Sequence, residues 1–355
     1  MRNPRESSSS DGNQEIYGAP AVNFSRGLLG VELPGFGPKE QGKVRDNWVV
    51  EEFGERISIS TDRQSALDKM ICAVFGKGKV LNLLSDFWFD NTGSIIPNHK
   101  IAVPHPNVLI AWQARRFPVE IIVRKYMARS STTTSVYTNY FGDESRGIKA
   151  RRRIYGIDFP EGLRANEKFE KPIITPTTRG EGGRHDEELT GKEARDLVDS
   201  EFGYGMYNRA EKAALELFER GVRYHKKRGL ILADTKYEFG INKKNGQLIL
   251  IDEIHTPDSS RFWLKNTYEQ RLNEGNNPDN FDKEILRRWL AQNGFRGEEG
   301  TRVPVVDPAI IDQMTMVYEA LYPMITGKYL PETPTDPLEL ERDIQEAVNG
   351  YYGRR

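Results

Sequence analysis

Between Leu230 and Glu253 the chain spaces charge in a way that could do chemistry. Asp234, Lys236 and Glu238 recur at every second residue, and Asp252-Glu253 follow an apolar run, Leu248 to Ile251, beyond the turn Asn242-Lys243-Lys244-Asn245-Gly246. Two strands around an Asn-Gly turn form a β-hairpin. With a strand period of two, Ile231, Ala233, Thr235, Tyr237 and Phe239 share one face and Asp234, Lys236 and Glu238 the other. Centred on Asn245, the hairpin sets Glu238 opposite Asp252, a like-charge pair that is destabilising unless a cation offsets it. Mg²⁺ does so with one or two carboxylates, completing its shell with water and phosphate oxygens. A shift of the turn centre by one residue exchanges Asp252 for Glu253. Without a metal, the same residues make a solvated strand face on which Lys236 neutralises its neighbours.

Other stretches carry anion-binding chemistry. The hairpin leads into Thr256-Pro257-Asp258-Ser259-Ser260-Arg261, whose hydroxyls and guanidinium suit an anionic ligand; an ordinary Pro-Asp turn has the same composition. Gly37 and Gly42-Lys43 match the phosphate-loop pattern except that Val44 stands where Ser or Thr is required, and a strand follows instead of a helix. What remains is a Gly beside a strand on which Lys43 and Arg45 point the same way, a phosphate clamp or surface charge. Gly76-Lys77-Gly78-Lys79 is a second basic loop of this kind. Arg124 precedes the hydroxyl-rich run Ser130 to Ser135, the groups a phosphate monoester needs or simply a polar loop. Arg151-Arg152-Arg153 reads as a solvated loop. The five histidines lack zinc spacing, and no nucleophile elbow is present.

These groups need elements to hold them. The 355 residues suffice for two or three packed units. Lys plus Arg (51) nearly cancel Asp plus Glu (52), which argues against a protein that grips nucleic acid or membrane through bulk charge. No run approaches the roughly 18 apolar residues of a membrane helix. One cysteine, Cys72, excludes an intramolecular disulfide, and with no apolar signal core at the N-terminus the expected compartment is the cytoplasm. Residues 1–22, with four consecutive serines, are expected to be a disordered tail. Residues 23–118 carry short strands and one helix, Val80 to Phe89, as a small α+β domain. Residues 119–296 form a second α+β unit, opening on the strand Val119 to Val123 and carrying a helix from about Gly205 to Arg228. Residues 297–355 hold two helices, near Pro308 to Tyr322 and Pro337 to Val348, expected to pack on the second unit.

In this order, the motifs resemble the SAICAR (phosphoribosylaminoimidazole-succinocarboxamide) synthetase family. The matching stretches are Gly42-Lys43-Val44-Arg45-Asp46, Thr61-Asp62-Arg63-Gln64-Ser65-Ala66-Leu67-Asp68, Gly76 to Asn82, Pro118 to Arg124, Thr175 to Thr178, His185-Asp186-Glu187, Asp234 to Gly240, and Asp252 through Arg261. The resemblance implies a two-layer α+β fold with a kinase-like small N-terminal lobe, a larger α+β lobe and a C-terminal helical extension. It implies an ATP-dependent ligase of purine biosynthesis that joins L-aspartate to carboxyaminoimidazole ribotide through an acyl phosphate, with ATP and Mg²⁺. The implied partners are these small molecules, with no nucleic acid or membrane, in a monomer or homo-oligomer. By motif, Lys236 and Asp234 sit at the reacting carboxylate; Gly42, Lys43, Arg45 and Asp186 bind ATP; Arg124, Ser130, Ser259, Ser260, Arg261, Asp62 and Arg63 bind substrate; Glu238 and Asp252 hold Mg²⁺. Departures from the family pattern are Thr61, Leu67, Arg179 for its Lys, and Arg129 where it has Gly before the phosphate-binding Ser. Arg129 supports an alternative, a paralogous ligase acting on another ribotide or amine. A catalytically silent scaffold is the rival of another class, disfavoured because Glu238 and Asp252 are both kept.

Overall fold

The structure, a computed structural model, describes residues 15–180, 186–298 and 300–354. Two antiparallel sheets face one another across a cleft. The first has five strands in the spatial order Glu40–Gln41, Arg45–Val50, Glu55–Ser60, Val108–Trp112 and Lys100–His105. The second is built on the 13-residue strand Leu230–Asn242, which pairs with Ala114–Arg116, Val119–Tyr126, Leu248–Ile251 and Ser260–Leu264. Ala114–Arg116 falls within the residues assigned to the first unit, yet it belongs to the second sheet.

Helices close the outer faces: α1 (Lys77–Thr92), the short α2 (Val136–Phe141), α3 (Gly191–Phe202), α4 (Met206–Lys227), α5 (Lys265–Asn273), α6 (Glu284–Gln292), α7 (Pro308–Thr326) and α8 (Pro337–Tyr352). The main core joins both lobes, packing Leu84 and Trp88 of α1, Leu217 and Phe218 of α4, and Met314 and Leu321 of α7 around Tyr237 and Phe239. Apolar residues three and four apart give α1 and α4 their buried stripes.

The strand Leu230–Asn242 departs from simple alternation. Leu230 and Leu232 enter the main core, Ile231 and Ala233 pack with Trp263 and Tyr268 on the opposite side, and Tyr237 and Phe239 return to the main core. The cause is a bulge: Leu232 pairs with Phe262 but Asp234 with Arg261, so Ala233 is an extra residue and the faces exchange. The expected common face from Ile231 to Phe239 is therefore split at Ala233.

Two further expectations change. The tail over 1–22 is folded at its end: Glu15–Ile16 pairs with Ala19–Pro20, and Ala19 and Phe24 enter the main core. The Asn23 amide donates to the Ile71 and Pro304 carbonyls at 2.9 and 3.0 Å and accepts from the Val306 N–H at 2.9 Å. So few buried side chains leave no apolar pattern in the sequence. Residues 1–14 lie outside the described residues. The C-terminal helices do not pack on the second unit alone. α7 lies against α1 and α6, whereas Leu340, Ile344 and Val348 of α8 cover Trp48, Ile57 and Ile110 on the first sheet. Asp307 and Asp336 cap the two helices with Pro in the first turn, which makes the helices legible but says nothing of where they dock.

Candidate active site

Three neighbouring strands place Arg124, Asp234 and Arg261 in one row, since Asp234 is in register with both arginines. Arg124 Nη1 lies 3.1 Å from Asp234 Oδ2, and Arg261 donates to the same oxygen. The Arg261 Nη2 donates to Ser130 Oγ at 2.8 Å, and Arg124 Nε to Thr175 Oγ1 at 2.9 Å. Arg261 Nη2 also lies 3.7 Å from Glu284 Oε2, and the two guanidiniums with the hydroxyl are donors of the kind that a phosphate monoester takes. Burial opposes the charge on Arg261, but Asp234, Glu284 and Asp282 outweigh it and raise its pKa.

Farther along the strand Leu230–Asn242, carboxylates converge on Lys236. Its Nζ is 2.9 Å from Glu120 Oε1, 2.5 Å from Glu238 Oε1 and 3.7 Å from Asp252 Oδ2. Burial works against the ammonium, yet Glu120, Glu238 and Asp252 hold its pKa well above the usual range. The hairpin register differs by one from the expected pairing: Glu238 faces Ile251, not Asp252. Asp252 lies just past the paired residues with φ of +66°, a left-handed conformation that Asp tolerates better than most residues. That turn, which the period-two pattern could not show, carries its carboxylate to Lys236. Arg45 binds the opposite side, Nη1 to Asp252 Oδ1 at 2.5 Å and Nη2 to Glu253 Oε2 at 3.3 Å. Burial alone would raise the Asp252 pKa, but Arg45 and Lys236 pull it well below the ordinary carboxylate range. Glu238 goes the other way, raised by burial and by Asp252 and Glu120 against the pull of Lys236.

Of the expected nucleotide-binding residues, Gly42, Lys43, Arg45 and Asp186 all line the same cleft, of about 780 Å³. Lys43 is half exposed and pairs with Asp68 at 2.5 Å. Asp186 accepts the Gly180 N–H at 2.7 Å, and its neighbour His185 lies outside the described residues. Ser259, Ser260, Arg124 and Arg261 line the cleft too, with Ser260 Oγ 2.7 Å from Thr235 Oγ1. Ser130, buried against Arg261, does not line it, and neither do Asp62 and Arg63. Expected at the substrate, both are buried in the framework: Asp62 accepts the Leu28 and Gly78 N–H groups at 2.9 Å, and Arg63 pairs with Asp46 at 2.7 Å and donates to the Gly42 and Lys43 carbonyls at 3.0 and 3.3 Å. They shape the Gly42-Lys43 loop from behind.

Sequence reasoning missed Glu120, Asp258 and Lys283 as cleft residues. Period two from Arg124 would have placed Glu120 on the same face. Asp258 is held by Lys77 Nζ at 3.0 Å and by the Tyr318 hydroxyl at 2.7 Å; burial would raise its pKa, but Lys77 brings it down to about 2. Lys283, pushed down to about 8 chiefly by burial, follows a loop that gave no signal.

The cleft thus has an arginine row at one end and clustered carboxylates with cations at the other. Among the described residues no trio of His, Cys, Asp or Glu is grouped to hold a metal alone. Glu238 and Asp252 instead share one cation, and a carboxylate pair fits Mg²⁺ that draws its remaining ligands from water and a nucleotide.

Comparison with known proteins agrees on one family. The SAICAR synthetase family profile matches residues 39–303. The chain is 44% identical over 302 residues to the phosphoribosylaminoimidazole-succinocarboxamide synthase of Legionella pneumophila strain Paris, covering 85% of this chain and 91% of that one. It is 40% identical over 318 residues to the synthase of that name from Bacteroides fragilis, covering 88% and 95%. Among solved structures, the SAICAR synthase of Saccharomyces cerevisiae complexed with SAICAR superposes with a TM-score of 0.68 at 30% identity, over 86% of this chain and 100% of that one.

Proposed function

This chain belongs to the SAICAR synthetase family, and from that premise we propose how its cleft makes an amide bond between carboxyaminoimidazole ribotide and L-aspartate with ATP, in purine biosynthesis. The observation that carries the reading is the row Arg124–Asp234–Arg261 with Ser130, lying two residues along one strand from the Lys236 cluster. Arg124 and Arg261 take the ribotide phosphate, with Ser130 orienting Arg261 through its Nη2, so the imidazole carboxylate reaches toward Lys236. Lys43 and Arg45 hold the ATP phosphates, exchanging their present carboxylate partners for phosphate oxygens.

A carboxylate is a poor electrophile. One of its oxygens attacks the γ-phosphorus of ATP, the bond to the β-phosphate oxygen breaks, and an acyl phosphate and ADP result. The aspartate amine then attacks the acyl carbon, inorganic phosphate leaves, and the amine gives up a proton as the amide forms. Phosphoryl transfer is mostly positioning and charge neutralisation, and the residues here serve that need without an enzyme nucleophile. Lys236 stabilises the charge developing on the carboxylate and the transferring group. Glu238 and Asp252 would hold Mg²⁺, which supplies further neutralisation of phosphate charge when bound. With a single buried cysteine and no helix among the described residues long and apolar enough to cross a membrane, the reading includes a cytoplasmic setting.

The rival, a ligase for another ribotide, leaned on Arg129. That side chain is exposed with its guanidinium 5.8 Å from the centre of the Tyr137 ring, its backbone has no positive φ, and its N–H is held by Asn166 Oδ1 at 2.9 Å. It does not line the cleft, so nothing in the site favours the rival. The test is ADP release with carboxyaminoimidazole ribotide and L-aspartate, omitting each in turn. Release that requires both is expected; release indifferent to the ribotide would sink the reading.

A further inference from the structure

Behind the carboxylate pair, the chain leaves the second sheet and comes back. The ladder between the strands Leu230–Asn242 and Leu248–Ile251 ends with Glu238 opposite Ile251, and contact with the strand resumes where the Lys236 N–H donates to the Ser259 carbonyl at 2.9 Å. The loop between them, Asp252 to Asp258, has left-handed backbone at two points, Asp252 with φ of +66° and His255 with φ of +50°. Residues with a Cβ adopt that region at a cost, so neighbouring groups must hold it. Among the described residues the side chains of the loop reach the strand at two places. On the cleft side Asp252 Oδ2 lies 3.7 Å from Lys236 Nζ. On the core side His255 Nε2 lies 2.6 Å from the Tyr237 hydroxyl.

The core-side contact has no part in the proposed reaction, and burial works against it. Tyr237 and His255 are both completely buried. The imidazole is wedged: the Trp88 ring stands edge-on at 4.6 Å between centroids, His225 lies at 5.7 Å, and Gly221 of α4 approaches so closely that a Cβ there would meet His255 Cε1 at 2.5 Å. Its other nitrogen, Nδ1, has no hydrogen-bond partner, and neither has Trp88 Nε1 or His225 Nε2 beside it. Burial, with His225 adding to it, holds the imidazole pKa well below the ordinary value, so the ring brings no charge. An apolar side chain would fill this space without taking polar atoms out of water. What the pair adds over apolar packing is direction: a hydrogen bond to Tyr237 fixes how far His255, and the loop with it, stands from the strand.

We propose that His255 is a positioning residue for the carboxylate pair, tying through Tyr237 the loop that carries Asp252 to the strand that carries Glu238. The inference rests on the function proposed above, in which those two carboxylates hold Mg²⁺. Tyr237 stands between Lys236 and Glu238 in the strand, and alternation turns its ring into the main core while their side chains line the cleft. His255 lies three residues beyond Asp252. The hydrogen bond therefore joins the two carboxylate-bearing segments just where the ladder between them has stopped. The cleft side does not supply this constraint throughout the reaction. Arg45, the nearer partner of Asp252 there, exchanges that carboxylate for phosphate oxygens when nucleotide binds, whereas the bond on the core side touches no ligand and stays.

The test uses Mn²⁺ as the probe, titrated onto the full chain with ADP and followed by the electron paramagnetic resonance of the free ion, corrected for Mn²⁺ held by ADP alone. Glu238→Gln removes a carboxylate and sets the scale of the loss. Tyr237→Phe, which deletes only the hydroxyl, and His255→Leu, which fills the same space, should each weaken Mn²⁺ about fivefold or more, the factor that one hydrogen bond carries. His255→Gln, whose amide can still meet the hydroxyl, should recover most of what His255→Leu loses. In steady state the ribotide KM of all three variants should stay within about twofold of wild type, because the arginine row belongs to other contacts. Unchanged Mn²⁺ affinity in Tyr237→Phe and His255→Leu, whatever their melting temperatures, overturns the proposal, as does a ribotide KM that rises in step with the loss of metal, the mark of general loosening. The two levels separate at Glu238→Gln. If that variant alone weakens Mn²⁺, the positioning role falls and the metal site stands; if Mn²⁺ binds it as well as wild type, the metal assignment proposed above falls and the positioning role with it.

Discussion

At the Lys236 ammonium, Glu238 and Asp252 meet under opposite pressures. Burial lifts the Glu238 pKa, while Arg45 and Lys236 depress that of Asp252. In the reaction proposed above both carboxylates hold Mg²⁺, and on that reading Glu238→Gln and Asp252→Asn should each lower turnover about 100-fold or more. Their stabilities should diverge. A neutral Gln suits the buried Glu238 position, and the melting temperature of that variant should hold or rise. Asp252→Asn strips Arg45 of its nearer partner and should cost on the order of 1–3 kcal/mol. A group whose folded pKa is depressed stabilises above its unfolded pKa, near 4, and that contribution is lost as pH falls. The deficit of Asp252→Asn should accordingly be full at pH 7 and shrink below about pH 4, as measured by denaturation at several pH values. Normal turnover in both variants would remove them from the metal site.

At the scale of elements, α7 reaches into the site from outside the matched family region, which ends at residue 303. Tyr318 is buried, donates to Asp258 Oδ1 at 2.7 Å and shares that carboxylate with Lys77 of α1. Asp258 opens the Asp258-Ser259-Ser260-Arg261 turn, so Tyr318→Phe should loosen the turn. The expectation is a fall in turnover of several-fold with about 1 kcal/mol of stability lost, whereas Met316→Ala on the exposed side of α7 should change neither. Equal effects of the two substitutions would mean that the hydroxyl has no positioning role. Much of this architecture was legible. The Asn-Gly hairpin, the stripes of α1 and α4 and the Pro-capped α7 and α8 follow from turn chemistry, period and caps, all local properties of the chain. What sequence could not give depends on pairing between distant strands. The bulge at Ala233 exists only relative to Phe262 and Arg261, and Asp252 reaches Lys236 through a left-handed backbone that Asp permits but does not announce. The same holds for Asp62 and Arg63, polar residues in a substrate-like motif that their neighbours bury.

Across the whole molecule, the two ends of the described chain brace the lobes that form the cleft. Ala19 and Phe24 join the main core, and α8 lies on the first sheet, whose other side chains Arg45, Asn47 and Ser58 face the cleft. The two contacts differ in weight. A chain starting at Asn23 loses, relative to one starting at Glu15, the small buried Ala19, the half-buried Ile16, a two-residue ladder and the exposed contacts of Tyr17 and Glu15, and should melt within a few degrees of it. A chain ending at Asp336 loses Leu340, Ile344 and Val348 and exposes Trp48, Ile57 and Ile110 to water. Burying each such side chain contributes roughly 1.5–3 kcal/mol, so three approach the whole stability of a typical domain, about 5–15 kcal/mol. The Tyr352 hydroxyl, 3.2 Å from the carboxylate of the buried Glu55, goes with them. Ending the chain at Asp336 should therefore lower the melting temperature by about 10 °C or more and weaken ATP binding before aspartate binding, because the uncovered sheet is the one that carries Arg45. Calorimetry with and without nucleotide reads both effects. An unchanged melting temperature would show that α8 is an accessory to the fold, and a loss of aspartate binding ahead of ATP would show that it braces the other lobe.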